Sequence, residues 1–283
     1  MNSDLFFSSL QQGLILTLIT YGVMIPFRLL NFSDLTAEGA YPFGGAISTS
    51  LLLANFNPFV SVLTSSLITG FIGIGTGLVY LKLRVNSLLA GIILSTMVYS
   101  VNLRIIGKSN ITLFDSVSLF STDDILNNIS ILFIVIFIIV VSIKLFLHTQ
   151  FGLRLRAVGF NQDFAYRQGI SITKYTILGL FIASAISGVA GSIIVQLQKY
   201  MDIGIGVGIV IHALAALMIG EAIIGNNTIN RQILAPFIGA TIYQQIQGIA
   251  LSSGLPPSDL KFFTSMLVLI VIAMKEYGLT YRS

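Results

Sequence analysis

The stretch "FGLRLRAVGFNQDFAYRQGI", Phe151 to Ile170, sets three arginines, an aspartate, an asparagine and two glutamines into a chain otherwise dominated by Ile, Leu, Val and Phe. The whole sequence of 283 residues is 55% hydrophobic and 9% charged, against roughly 25% charged in soluble domains, and its mean hydropathy is +0.92. That is the composition of an integral membrane protein. A charge at the bilayer centre costs about 2.5–3.5 kcal/mol on insertion scales, so the polar stretch is read as a water-exposed segment between spans.

Working outward from it, apolar stretches run at about 6–27, 40–55, 59–81, 87–106, 126–147, 174–197, 205–224, 232–252 and 260–274. The stretches 40–55 and 260–274 are short for a hydrocarbon core of about 30 Å, so either is expected to be re-entrant or broken. The expected fold is all-α: one polytopic domain over 1–283 with eight or nine transmembrane or re-entrant helices, interrupted by the polar segment 148–173. The opening "MNSDLFFSSLQQG" carries neither a basic region nor a small-residue cleavage site, so the first apolar stretch is read as a retained span.

Basic residues orient the spans, because Lys and Arg near span ends stay cytoplasmic. With 148–173 inside, alternation puts Arg28, Lys82, Arg84, Lys144, Arg154, Arg156, Arg167, Lys174, Arg231, Lys275 and Arg282 inside, and only Arg104, Lys108, Lys199 and Lys261 outside. The C-terminus is then cytoplasmic. A net charge of +4 would suggest nucleic acid in a soluble protein; here the charge sits at span ends, facing the lipid bilayer, and nucleic acid is not an expected partner.

Several chemistries are excluded or weak. There is no Cys, hence no disulfide and no thiolate metal site. Gly107-Lys108-Ser109 ends like a phosphate-binding loop, but Asn102 stands where the first Gly of that motif belongs. The chain therefore has no nucleotide site of its own. His148 and His212 are far apart in sequence, and no HExxH occurs. An intramembrane Ser-His hydrolase would rest on His212 alone, in "IVIHALAAL".

Polar groups inside spans mark either helix packing or a translocation path, since they prefer protein or water to lipid. The candidates for a path are Glu38 in "LTAEGAYPFGG", Tyr99 and Asn102 in "MVYSVNLRIIG", His212, Glu221 in "LMIGEAIIG", and Gln244 and Gln245 in "TIYQQIQGIAL". Each also has a structural reading: Glu38 and Glu221 as helix-end charges, the amides as interhelical hydrogen bonds. Glycine clusters from Gly70, Ser187 and Asp202 are read chiefly as close helix contacts.

Within the opening stretch, Asn161 is a plausible N-cap with Asp163 in the first turn, and Gly159 and Gly169 bracket a short helix. Phe160, Phe164 and Tyr166 beside Arg167 could dock into a groove on a soluble protein. The plainer alternative is a basic loop with no partner.

The stretch also resembles the cytoplasmic coupling segment of ABC-transporter permeases of the branched-chain amino acid and sugar importer superfamily. The matching positions are Gly152, Arg156, Ala157, Gly159, Asn161, Ala165, Gly169 and Ile170. "NFSDLTAEGAYPFGGA" from Asn31 and "SLLAGIILSTMVYSVNLRIIGKSNITLF" from Ser87 look like the tryptophan/tyrosine-type subgroup. The resemblance implies a non-enzymatic permease subunit of an importer in a prokaryotic plasma membrane. It also implies a cytoplasmic ABC ATPase carrying ATP and Mg, an extracytoplasmic substrate-binding protein, and a second permease copy forming a homodimer. Gly159, Asn161, Phe164, Ala165, Tyr166, Arg167, Gly169 and Ile170 would then contact the ATPase, and Phe164 and Tyr166 depart from the acidic or small residues common there. The competing class is a secondary transporter of a small solute, which needs ion coupling within the chain.

Overall fold

A computed structural model describes residues 3–121 and 124–254, together with 256, 259, 262–266, 269, 270 and 273. The chain forms α1 (Ser3–Met24), a π-helical turn (Ile25–Leu29), α2 (Ala37–Leu53), α3 (Pro58–Leu83), α4 (Ser87–Ile106) and β1 (Asn110–Thr112). There follow α5 (Ile125–His148), α6 (Gln150–Phe160), α7 (Gln162–Arg167), α8 (Ile172–Gln198), β2 (Tyr200–Asp202), a 3-10 turn (Ile203–Gly206), α9 (Ile209–Ile224) and α10 (Ile229–Ser252).

Helix starts follow the capping residues. Asn57, Asn86, Asp124 and Asn161 each accept a hydrogen bond from a backbone N–H of the first turn, which satisfies donors that a helix start leaves orphaned. Pro58 occupies the first position of α3, where its missing N–H costs nothing.

Among the described residues, six helical segments are both long and apolar enough to cross a membrane: Leu5–Leu29, Pro58–Leu83, Ser87–Ile106, Ile125–His148, Ile172–Gln198 and Ile203–Ile224. The apolar stretches at 40–55 and 232–252 become α2 and α10. The first is only 17 residues long; the second has 24 but carries Arg231, Gln232 and three further glutamines. Most of 260–274 lies outside the described residues.

α2 has the broken entry its short apolar run suggests. Leu30, Phe32, Asp34 and Thr36 are buried although residues 31–35 are not helical. Irregular backbone at such depth needs internal partners. Asp34 supplies them, accepting from the Thr36 N–H at 2.8 Å and from the Thr36 hydroxyl, while Thr36 and Thr76 of α3 share a hydrogen bond of 2.8 Å.

α8 is the spine against which α1, α2 and α3 pack. The contact is backbone to backbone: a Cβ at Gly191 would lie 1.8 Å from the Tyr41 carbonyl oxygen, and one at Gly73 2.1 Å from that of Leu180. The glycine clusters beginning at Gly70 and Ser187 thus serve close helix packing.

The two ends of the bundle differ. At one end lie α6 and α7, the π-turn with Arg28, the end of α3 with Lys82 and Arg84, and the α9–α10 turn with Arg231. At the other, β1 and β2 pair antiparallel, Ile111 opposite Met201, beside Lys108 and Lys199. This ribbon adds strand to the expected all-α fold. It is three residues long on each side, too short to leave an alternating pattern in sequence.

Candidate functional site

The polar stretch folds as an elbow of two helices, where the sequence suggested one helix bracketed by two glycines. α6 starts on Thr149 and ends at Asn161, whose extended backbone breaks the helix and whose side chain accepts from the Phe164 N–H at 2.9 Å to begin α7. Gly159 belongs to the last turn of α6 and is pressed against the π-turn: a Cβ there would lie 1.9 Å from the Leu29 carbonyl oxygen. Gly169 does close α7. Its φ is +73°, and its N–H reaches the Tyr166 carbonyl at 2.9 Å while the Ile170 N–H reaches that of Ala165 at 2.9 Å.

Leu155, Val158 and Ala165 bury the inner face of the elbow. Arg154 donates to the Tyr175 hydroxyl at 3.3 Å and Arg156 to the Leu147 carbonyl at 3.4 Å, so these arginines fasten α6 to its neighbours. The outer face is aromatic: Phe160 is 92% exposed, Tyr166 74% and Phe164 55%, with Arg167 beside them also exposed. Large exposed apolar groups at the tip of a braced elbow make this face a candidate docking surface.

Inside the bundle the path candidates separate into groups. Glu38, Tyr99 and Asn102 line one cavity of about 160 Å³ between α2, α4 and the 3-10 turn, with Ser95, Thr96 and Val207. His212 and Gln244 line another, of about 320 Å³, between α1, α9 and α10, with Gln12, Tyr41, Tyr243 and Gln247. There His212 Nδ1 and the Tyr243 hydroxyl are 2.6 Å apart. A third cavity of about 160 Å³ touches both neighbours, sharing Val207 with the first and His212, Tyr243 and Thr264 with the second. The three follow one another around the start of α9.

Glu221 and Gln245 line none of these cavities. Glu221 is buried and ion-paired with Arg28, joining the end of α9 to the π-turn. Gln245 donates to the Phe6 carbonyl at 3.2 Å, joining α10 to α1. Sequence reading missed Gln12, Tyr41, Ser95 and Thr96. Gln12 was visible as one of the amide pair Gln11-Gln12 in the first apolar run; hydroxyls on α4 carry no such signal, because Ser and Thr are common in membrane helices.

A membrane bundle with an aromatic elbow at one end and linked polar cavities around a broken helix is the architecture of a transport permease. The chain belongs to the family described as branched-chain amino acid transport system / permease component, which it matches over residues 5–273. It is 33% identical over 275 residues, covering 97% of this chain and 92% of the relative, to a tyrosine transport system permease protein of Clostridioides difficile. It is 30% identical over 274 residues, 95% of this chain and 97% of the other, to an uncharacterised protein of Rickettsia prowazekii. Its fold is similar to that of a chain from a protein assigned as a metal-chelate type ABC transporter, solved in an inward-facing conformation. The TM-score is 0.54 at 16% identity, covering 97% of this chain and 85% of that one.

The protein is thus a membrane-embedded ABC-transporter permease subunit. ABC permeases are not themselves enzymes; they work with an ATPase on a separate subunit and usually with a second permease.

Proposed function

We propose that this chain is the permease of a prokaryotic importer for amino acids, with aromatic side chains favoured. An extracytoplasmic binding protein delivers the ligand at the β1–β2 end, and two copies of this chain pair in the plasma membrane. The elbow end and the C-terminus face the cytoplasm, where the partner ATPase binds ATP and Mg. The concentration of Arg28, Arg84, Arg154, Arg156, Arg167 and Arg231 at the elbow end supports that orientation. The observation that carries the reading is the exposed aromatic face of an elbow whose inner face is locked onto the π-turn. A permease without a nucleotide site must receive work through such a contact, and a braced helix transmits displacement without absorbing it.

The test is reconstitution into proteoliposomes with a partner ATPase and an extracytoplasmic binding protein. The expected result is ATP-dependent accumulation of L-tyrosine. Accumulation driven by a proton or sodium gradient without the ATPase would overturn the reading in favour of secondary transport.

A further inference from the structure

Asn102 is completely buried, and neither its amide nitrogen nor its carbonyl oxygen has a hydrogen-bond partner. Buried side-chain polar groups in folded proteins are nearly always satisfied. An orphaned amide lining a cavity therefore marks where an absent partner belongs. The cavity it shares with Glu38 is rich in acceptors. Glu38 contributes its carboxylate, which the Gly208 N–H approaches from the start of α9. Ser95 and Thr96 each donate to the Ile92 carbonyl at 2.9 Å and keep lone pairs free. Among the described residues that line it, none is basic. Tyr99, 48% exposed at the mouth, adds one hydroxyl donor and leaves the cavity open.

We propose that this cavity binds the zwitterionic head of an α-amino acid in transit. The ligand ammonium lies against the Glu38 carboxylate and the Asn102 carbonyl oxygen; the ligand carboxylate takes the Asn102 amide N–H and the Tyr99 hydroxyl. The amide decides between a zwitterion and a bare cation, because a cation would leave its N–H groups orphaned. The size agrees: about 160 Å³ is the share of about five waters, room for an ammonium, an α-carbon and a carboxylate. A side chain on that α-carbon would pass Val207 into the adjoining cavity lined by His212 and Tyr243. This assignment rests on the importer reading for its ligand class.

The sequence has no tryptophan, so Val207→Trp places a single indole reporter at the cavity wall, 75% exposed in the native side chain. The full-length chain in nanodiscs is titrated with glycine, methylamine and sodium acetate. Glycine should change the emission saturably, methylamine should bind about tenfold more weakly, and acetate should give no response. A hydrogen bond to a charged group is worth a factor of about ten or more, so Glu38→Gln and Asn102→Ala should each weaken glycine binding by at least that factor. Tyr99→Phe, at an exposed position, tests the same site without disturbing the core and should weaken glycine severalfold while leaving methylamine unchanged. Equal binding of glycine and methylamine would overturn the assignment in favour of a simple cation site. No response to any of the three would make it a water-filled cavity and likewise overturn it. Glycine binding without ATP-driven tyrosine uptake would sink the importer reading and spare this one; the reverse would sink this one alone.

Discussion

Replacing Gly159 by Ala tests whether the elbow works as a rigid strut. The added Cβ would sit 1.9 Å from the Leu29 carbonyl oxygen and 2.7 Å from the Leu30 Cα. Uncrowded nonbonded contacts lie near 3.5 Å, so α6 must withdraw by about 1.5 Å at its last turn. Overpacking of this kind costs about 1–3 kcal/mol. Gly169→Ala is the internal comparison: nothing lies within 4 Å of its Cβ position, but its φ of +73° leaves backbone strain alone, about 1–2 kcal/mol. The two substitutions should therefore destabilise to a similar extent and differ in function. Gly159→Ala moves the strut off the π-turn and should lower the ratio of L-tyrosine transported to ATP hydrolysed by severalfold, with the ATPase still bound. Gly169→Ala should leave that ratio near the native value. The assay is parallel uptake and phosphate release in proteoliposomes, with thermal midpoints of both variants. A native ratio in Gly159→Ala, at a lowered midpoint, would refute the strut.

Phe164→Ala combined with Tyr166→Ala should abolish co-purification of the ATPase while leaving membrane insertion intact, since burying an aromatic anchor is worth about 2 kcal/mol or more. Asn102→Leu removes an amide that costs about 1–3 kcal/mol while unsatisfied, so it should raise the thermal midpoint of the ligand-free chain; a lowered midpoint would mean the amide is already bonded. Because the sequence has no cysteine, Gln162→Cys should react with an impermeant maleimide only in inverted vesicles and Val117→Cys, at a position 74% exposed, only in intact cells. Arg28→Ala removes the ion-pair partner of the buried Glu221 carboxylate while leaving its other contacts in place. With the Arg28 side chain 32% exposed, the cost is discounted to about 1–3 kcal/mol, and adding Glu221→Gln should recover most of it.

What the sequence disclosed was local. Six of the nine apolar runs coincide with helices that are long and apolar enough to cross a membrane among the described residues, and Asn161 announced the start of α7 because a cap needs only its own next three residues. Gly159 was noticed but misread as a helix bracket, since its role depends on Leu29, far away in the chain. The same holds for Glu221, whose partner Arg28 is 193 positions distant, and for His212 with Tyr243 across the α9–α10 turn. Candidate residues for a path could be chosen from their cost in lipid. Which of them share a cavity could not, because grouping Glu38 with Asn102 and His212 with Gln244 is a property of how α2 packs between α4 and α9.

That packing joins the elbow to the cavities through a short series of contacts. The last turn of α6 bears on Leu29; Arg28, its neighbour in the π-turn, holds Glu221 at one end of α9; and just before the other end Gly206 is pressed on α2, a Cβ there lying 2.0 Å from the Glu38 carbonyl oxygen. α9 has 16 residues and spans about 24 Å, so it can carry a displacement at the elbow to the wall of the Glu38–Asn102 cavity as a rigid rod. Contiguity alone does not establish coupling, but it dictates the form coupling must take. If α9 is the rod, Arg28→Ala cuts the linkage at its elbow end while leaving the aromatic docking face untouched. ATP hydrolysis by the bound ATPase should then persist as L-tyrosine uptake falls, and Glu221→Gln on that background should recover stability without recovering uptake. Joint recovery of both would show that the ion pair holds the bundle together and transmits nothing.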